Sequence, residues 1–63
     1  MLEIGWYLRH TNASCVDVQV QARHREECYE VLHLEPGWRV EAGDAADLPP
    51  GAARFIYRRI RAG

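Results

Sequence analysis

Residues 16 to 23 read Val16-Asp17-Val18-Gln19-Val20-Gln21-Ala22-Arg23, an unbroken alternation of apolar and polar side chains. That period belongs to a strand with one covered face, because successive side chains of a strand point to opposite sides of the pleat. Val16, Val18, Val20 and Ala22 are expected against a core, with Asp17, Gln19, Gln21 and Arg23 toward water. The rest of the chain must supply whatever covers that face.

With 63 residues, the chain has material for one small domain over residues 1–63. A core of this size rarely supplies more than about 3–5 kcal/mol, so such chains commonly lean on a disulfide, a metal or a second subunit. The apolar share of 48% is too high for a disordered segment. A formal net charge of −1 gives no overall field toward nucleic acid or an anionic membrane. All eight basic residues are arginine, a bias that runs along the whole chain rather than marking one site. The apolar runs are too short to cross a bilayer, and the N-terminal residues lack the basic patch and apolar stretch of a secretory signal; a cytoplasmic protein is expected.

Taken in order, residues 2–9 alternate as cleanly as 16–23, with Leu2, Ile4, Trp6 and Leu8 on one side, and predict a first strand. His10 to Ser14 has turn chemistry. A second strand follows over about 15–23, then a charged connection over 24–27. Residues 28–34 read two ways: as a helix, Cys28, Val31 and Leu32 share a face; as a strand, Tyr29 and Val31 face one way while Leu32 and Leu34 face the other. Its shortness, its Tyr and Val, and the stop at Pro36-Gly37 favour a strand, paired with the second either so that Val16 meets Leu34 and Val18 meets Leu32 or so that Val20 meets Val31 and Ala22 meets Tyr29, with a bulge near Glu30 to Leu32 serving both. Glu35-Pro36-Gly37-Trp38 has the residues of a type II turn, and residues 38–41 return as a strand. Residues 42–51 form a loop punctuated by Gly43 and Pro49-Pro50-Gly51. Over 52–62, Ala52, Ala53, Ile56, Tyr57 and Ile60 would make a helical stripe, but Phe55-Ile56-Tyr57 is the most strand-prone triplet in the chain and favours a strand. The fold class expected is mainly β, a small antiparallel sheet or an SH3-like or OB-like barrel of four or five strands, with an α+β fold carrying a C-terminal helix 52–62 as the alternative. The expected core is Leu2, Ile4, Trp6, Leu8, Val16, Val18, Val20, Val40 and Ile56.

Little in the sequence points to catalysis or to a cofactor. Cys15 and Cys28 lie seven strand positions apart in the hairpin just described, roughly 23 Å against the ~7 Å that a disulfide allows. Two reduced thiols are therefore expected, as suits a reducing compartment. His10, His24 and His33 show none of the spacings of a zinc site, so no metal is expected. Glu41, Asp44 and Asp47 are too sparse for a calcium loop. No phosphate loop, nucleophile elbow or metalloprotease motif occurs, and a domain this small can hardly bury a catalytic cleft. The chain is read as no enzyme, with no cofactor.

Two binding readings remain. Arg54, Arg58, Arg59 and Arg61, interleaved with Phe55 and Tyr57, would suit a strand that binds single-stranded nucleic acid through its phosphates while the rings stack on bases. Against it stand the net charge and the acidic loop just upstream. The favoured reading is a small non-enzymatic protein–protein interaction or oligomerisation module, such as a regulatory or inhibitor protein, with a homodimer as the first partner. Six aromatic residues exceed what so small a core can hide, and Tyr, Trp and Arg are enriched in binding hot spots. Tyr7, Trp38, Phe55, Tyr57 and Arg59 are the expected contact residues.

Overall fold

The structure, a computed structural model, describes residues 4–60. In chain order it has a helix α1 (Ile4–His10), a strand β1 (Cys15–Gln21), a helix α2 (Arg25–Glu30) flanked by single 3-10 turns (Ala22–His24 and Val31–His33), and strands β2 (Trp38–Ala42) and β3 (Ala52–Arg59). The strands form one antiparallel sheet in the order β1-β3-β2, so the last strand lies in the middle. The fold is mixed α+β with an open three-stranded sheet. It is not a closed barrel, and the expected fourth and fifth strands do not form among the described residues.

The alternation in β1 does what its period requires. Val16 lies opposite Tyr57, Val18 opposite Phe55 and Val20 opposite Ala53 across β3, and Val40 of β2 lies opposite Tyr57 from the other side. Directly opposed residues share a face in an antiparallel sheet. On this face Ile4, Leu8, Val16, Cys28, Trp38, Phe55 and Tyr57 are buried, with Val18, Val20, Val31, Leu32, Val40 and Ala53 packed against them. Tyr57 is wholly buried and its hydroxyl donates to the Cys28 carbonyl at 2.6 Å, which satisfies the buried oxygen and ties the central strand to α2.

Two segments expected as strands are helical. Over 4–10 the ambiguity is arithmetic: Ile4 and Leu8 are four apart, a spacing that puts them on one side of a strand and on one face of a helix. Both are buried, whereas Trp6 is 64% exposed and leaves the expected core. Trp6 instead stacks on His10 one helical turn later, ring centroids 4.6 Å apart. Gly5 lets α1 approach closely; a Cβ there would sit 2.9 Å from Val31 Cγ2. Leu2 lies outside the described residues. Over 28–34 the helical face prevails: Cys28 is fully buried with Val31 and Leu32 half-buried beside it, and Glu26 and Glu27 stand in the first turn of α2, where negative charge is favoured. The hairpin of 28–34 with β1 is therefore absent, and β3 takes the place beside β1. The strand reading of 52–62 holds for Ala52–Arg59, as the central strand rather than an edge, and the alternative helix there is absent. Ile56 points away from the core, half-buried on the opposite face.

The turn chemistry is also redistributed. The turn at Glu35 is closed by the Trp38 N–H donating to the Glu35 carbonyl at 3.3 Å, but Gly37 does not have positive φ. The type II geometry occurs at Pro49-Pro50-Gly51-Ala52, where Gly51 has φ +85° and the Ala52 N–H donates to the Pro49 carbonyl at 3.1 Å.

The ladder bonds fix which backbone groups each outer strand leaves outward. The Arg59 N–H donates to the Ser14 carbonyl (2.9 Å) and the Ala22 N–H to the Gly51 carbonyl (2.7 Å), at the two ends of the β1–β3 register. Bonded and non-bonded pairs alternate along an antiparallel ladder. Val16, Val18 and Val20 thus direct their backbone groups to β3, while Cys15, Asp17, Gln19 and Gln21 direct theirs away from the sheet. On the other side the Ile60 N–H donates to the Gly37 carbonyl and the Gly43 N–H to the Arg54 carbonyl, both at 2.8 Å. Arg39 and Glu41 accordingly bond β3, and Trp38, Val40 and Ala42 face outward.

Candidate functional site

The molecule measures 38 × 22 × 15 Å. Its thin dimension accommodates the sheet and one helical layer; the second face, the open face, carries no described helix, and the 43–47 loop meets it at Arg54 and Ile56. That face carries Cys15, Asp17, Gln19 and Gln21 from β1, Arg54, Ile56 and Arg58 from β3, and Arg39 and Glu41 from β2, by the alternation that buries their neighbours. Asp17 and Glu41 flank Ile56, and Cys15 and Arg39 flank Arg58.

Arg54 and Arg58 of this face are held by acids of the same chain. Arg54 bonds both carboxylate oxygens of Asp47 (3.2 and 3.4 Å) and the Asp44 carbonyl (2.8 Å). Its Nε lies 3.3 Å from Asp17 Oδ1 but without hydrogen-bond alignment, and is buried without an acceptor. Gly43 makes room for the Arg54 stem; a Cβ there would fall 2.9 Å from Arg54 Cγ. Arg58 Nε donates to Glu41 at 2.7 Å. The hydrogen bond from Arg54 holds the Asp47 carboxyl below its usual range, and the bond from Arg58 does the same for Glu41. These pairs are solvent-exposed, so each adds little stability, but together they leave Arg54 and Arg58 with local anionic partners. Arg59 belongs to the other face: its guanidinium sits 4.3 Å over the Trp38 ring and donates to the carbonyls of Thr11 and Ala13.

The nucleic-acid candidates are therefore not gathered on one surface. Arg54 and Arg58 lie on the open face, Arg59 on the covered side, and Arg61 lies outside the described residues. Phe55 and Tyr57, expected to stack on bases, are buried under the helices.

The expected contact residues divide in the same way. Trp38 (4% exposed), Phe55 (4%) and Tyr57 (0%) are core residues, because β2 and the central strand turn them toward the helices. Tyr7 is half exposed, and Arg59 is exposed. The apolar side chains that do reach solvent include three that the sequence reading passed over or placed inside, namely Trp6, Leu34 (73%) and Ile60 (51%). For Trp6 a signal existed: a helical reading of 4–10 turns it away from the face shared by Ile4 and Leu8.

Among the described residues, surface depressions accompany the sheet. One, of about 280 Å³, is lined by Arg25, Tyr29, Ala42, Arg54 and Phe55 among others. Another is an open hollow of about 530 Å³ at Gln21–Arg23 and Pro50–Gly51. Neither is lined by Cys, His, Asp or Glu. Cys15 and Cys28 are free, exposed and buried respectively, and burial pushes the Cys28 thiol up, away from its reactive thiolate form. Among the described residues no three His, Cys, Asp or Glu side chains are grouped to hold a metal ion, and no helix is long and apolar enough to cross a membrane.

Comparisons with family models, with curated proteins and with solved structures find no match to this chain.

Proposed function

We propose that this chain is a small non-enzymatic interaction module and that its first partner is a second copy of itself. The observation that supports the reading best is the open sheet. A single central strand carries both neighbours, and each neighbour turns a row of backbone groups outward with no described partner apart from the Trp38 N–H and the Gln21 carbonyl. Such rows are templates for pairing with another chain. The exposed Trp6, Tyr7, Leu34 and Ile60 add apolar surface beyond what the monomer buries. The nucleic-acid reading has less support, since Arg54 and Arg58 are paired with acids and the aromatic rings beside them are buried.

Sedimentation equilibrium over a wide concentration range tests the reading. The apparent mass should climb from 7.3 kDa toward twice that value as concentration rises. A mass that stays at the monomer value throughout overturns it.

A further inference from the structure

We infer that two copies join through β1, edge to edge and antiparallel, into one continuous six-stranded sheet. The inference rests on the self-assembly reading above and names its surface and register.

The outward groups of β1 choose the strand. Cys15, Asp17 and Gln19 have both backbone groups facing out with no bond from another described residue, and Gln21 adds its N–H, its carbonyl being taken by the first bond of the 3-10 turn that follows. In a two-fold pairing centred on Val18, Cys15 meets Gln21 of the second copy and Asp17 meets its Gln19. The symmetry repeats both pairs: Asp17 and Gln19 exchange two hydrogen bonds, and the Gln21 N–H donates to the Cys15 carbonyl. β2 offers less. Only Trp38, Val40 and Ala42 face outward there, and the Trp38 N–H already donates to the Glu35 carbonyl.

The side chains choose the register. With Val18 opposite itself, Val16 meets Val20 of the second copy, so the valines line up on the covered side. Val18 and Val20 are only half-buried in the monomer, and their neighbours would cover them. On the open side the Asp17 carboxylate meets the Gln19 amide, a donor. Sliding one strand two residues one way, the smallest slip that keeps the outward groups paired, sets Asp17 against Asp17, a like-charge pair that destabilises a sheet. Sliding it the other way drops Cys15 from the ladder. Of the usual guards of an edge β1 has one charge, Asp17, and no Pro, no Lys and no bulge; its register runs unbroken from Cys15 to Gln21.

Amide hydrogen exchange on the full chain, at concentrations below and above the dimer midpoint, tests the surface. The Asp17, Gln19 and Gln21 amides should slow by roughly tenfold or more as dimer forms, while Val40 and Ala42 keep their rates. Gln19→Pro should weaken association by roughly tenfold or more, because it deletes an outward N–H that β3 does not use. If that variant fails to fold, Val18→Cys in a Cys15→Ser background serves instead. Mild oxidation should link two copies, since opposed residues of a non-bonded pair lie about 4.5 Å apart at Cα. No linkage overturns the register. A dimer whose β1 amides stay unprotected overturns the β1 surface and leaves self-assembly standing, whereas a chain that never dimerises overturns both.

Discussion

Tyr57 lies between Val16 and Val40 on the covered face, its ring fully buried and its hydroxyl on the Cys28 carbonyl. Burial is the largest cause that pushes its phenol well above the ordinary value of 10.0. A folded pKa above the unfolded one gives a stabilising contribution that is complete below the unfolded value. It is lost as pH rises toward the folded one. Denaturant titrations from neutral to strongly alkaline pH should show stability falling above about pH 10. In Tyr57→Phe that part of the alkaline loss should be gone, at a cost near neutral pH of about 1–2 kcal/mol for the lost hydrogen bond. An unchanged alkaline limb in the variant would assign the loss to other groups. Arg59 is the counterpart on the same strand. Its stem and guanidinium cover Trp38 and hold the α1–β1 connection, so an arginine that looked like a free binding residue in the sequence serves the fold.

At the scale of elements, two Pro-Gly pairs that look alike in sequence differ in need. Gly51 has φ +85°, and any other L residue there is strained. Gly37 has no such φ, and a Cβ added to it meets nothing within 4 Å. Chemical denaturation should find Gly51→Ala destabilising by about 1–2 kcal/mol and Gly37→Ala neutral or stabilising by up to about 1 kcal/mol. Equal effects would contradict the turn assignment. The same contrast marks how far the sequence could be read. β1 was legible because Val16, Val18 and Val20 admit no helical period, and β2 and β3 because Trp38-Arg39-Val40 and Phe55-Ile56-Tyr57 carry strand-prone side chains. α1 was not, because Ile4 and Leu8 satisfy both periods, and the residue that Gly5 packs close to, Val31, comes from a distant segment. α2 was not, because its six residues hold one buried side chain, Cys28, too few to show a period. Of the expected contact residues, Tyr7 and Arg59 reach the surface, while Trp38, Phe55 and Tyr57 lie in the core, because the sequence does not show which side of each strand the helices cover.

For the molecule as a whole, one face of the sheet is dry and the other is a set of charges facing water. Glu41 and Asp47 both ionise more readily than usual because Arg58 and Arg54 donate to them. Lowered carboxylate pKa values stabilise the fold above the ordinary range, and the contribution drains away as pH falls through the folded values. Thermal melting should therefore fall on acidification below the usual 4.5 of a glutamate, and added salt should blunt the effect because these pairs are exposed. A melting temperature flat across that range would remove the open-face ion pairs from the stability of the fold. The strand order has a consequence for synthesis. β1 and β2 meet only β3, which comes last of the three, so a growing chain that has not yet reached residue 52 holds two strand-prone segments and no mate for either. Such a nascent chain cannot store partial sheet structure as it lengthens. The valine row at 16–20 gains its strand partner only from residues 52–59, so the sheet closes in one step rather than strand by strand.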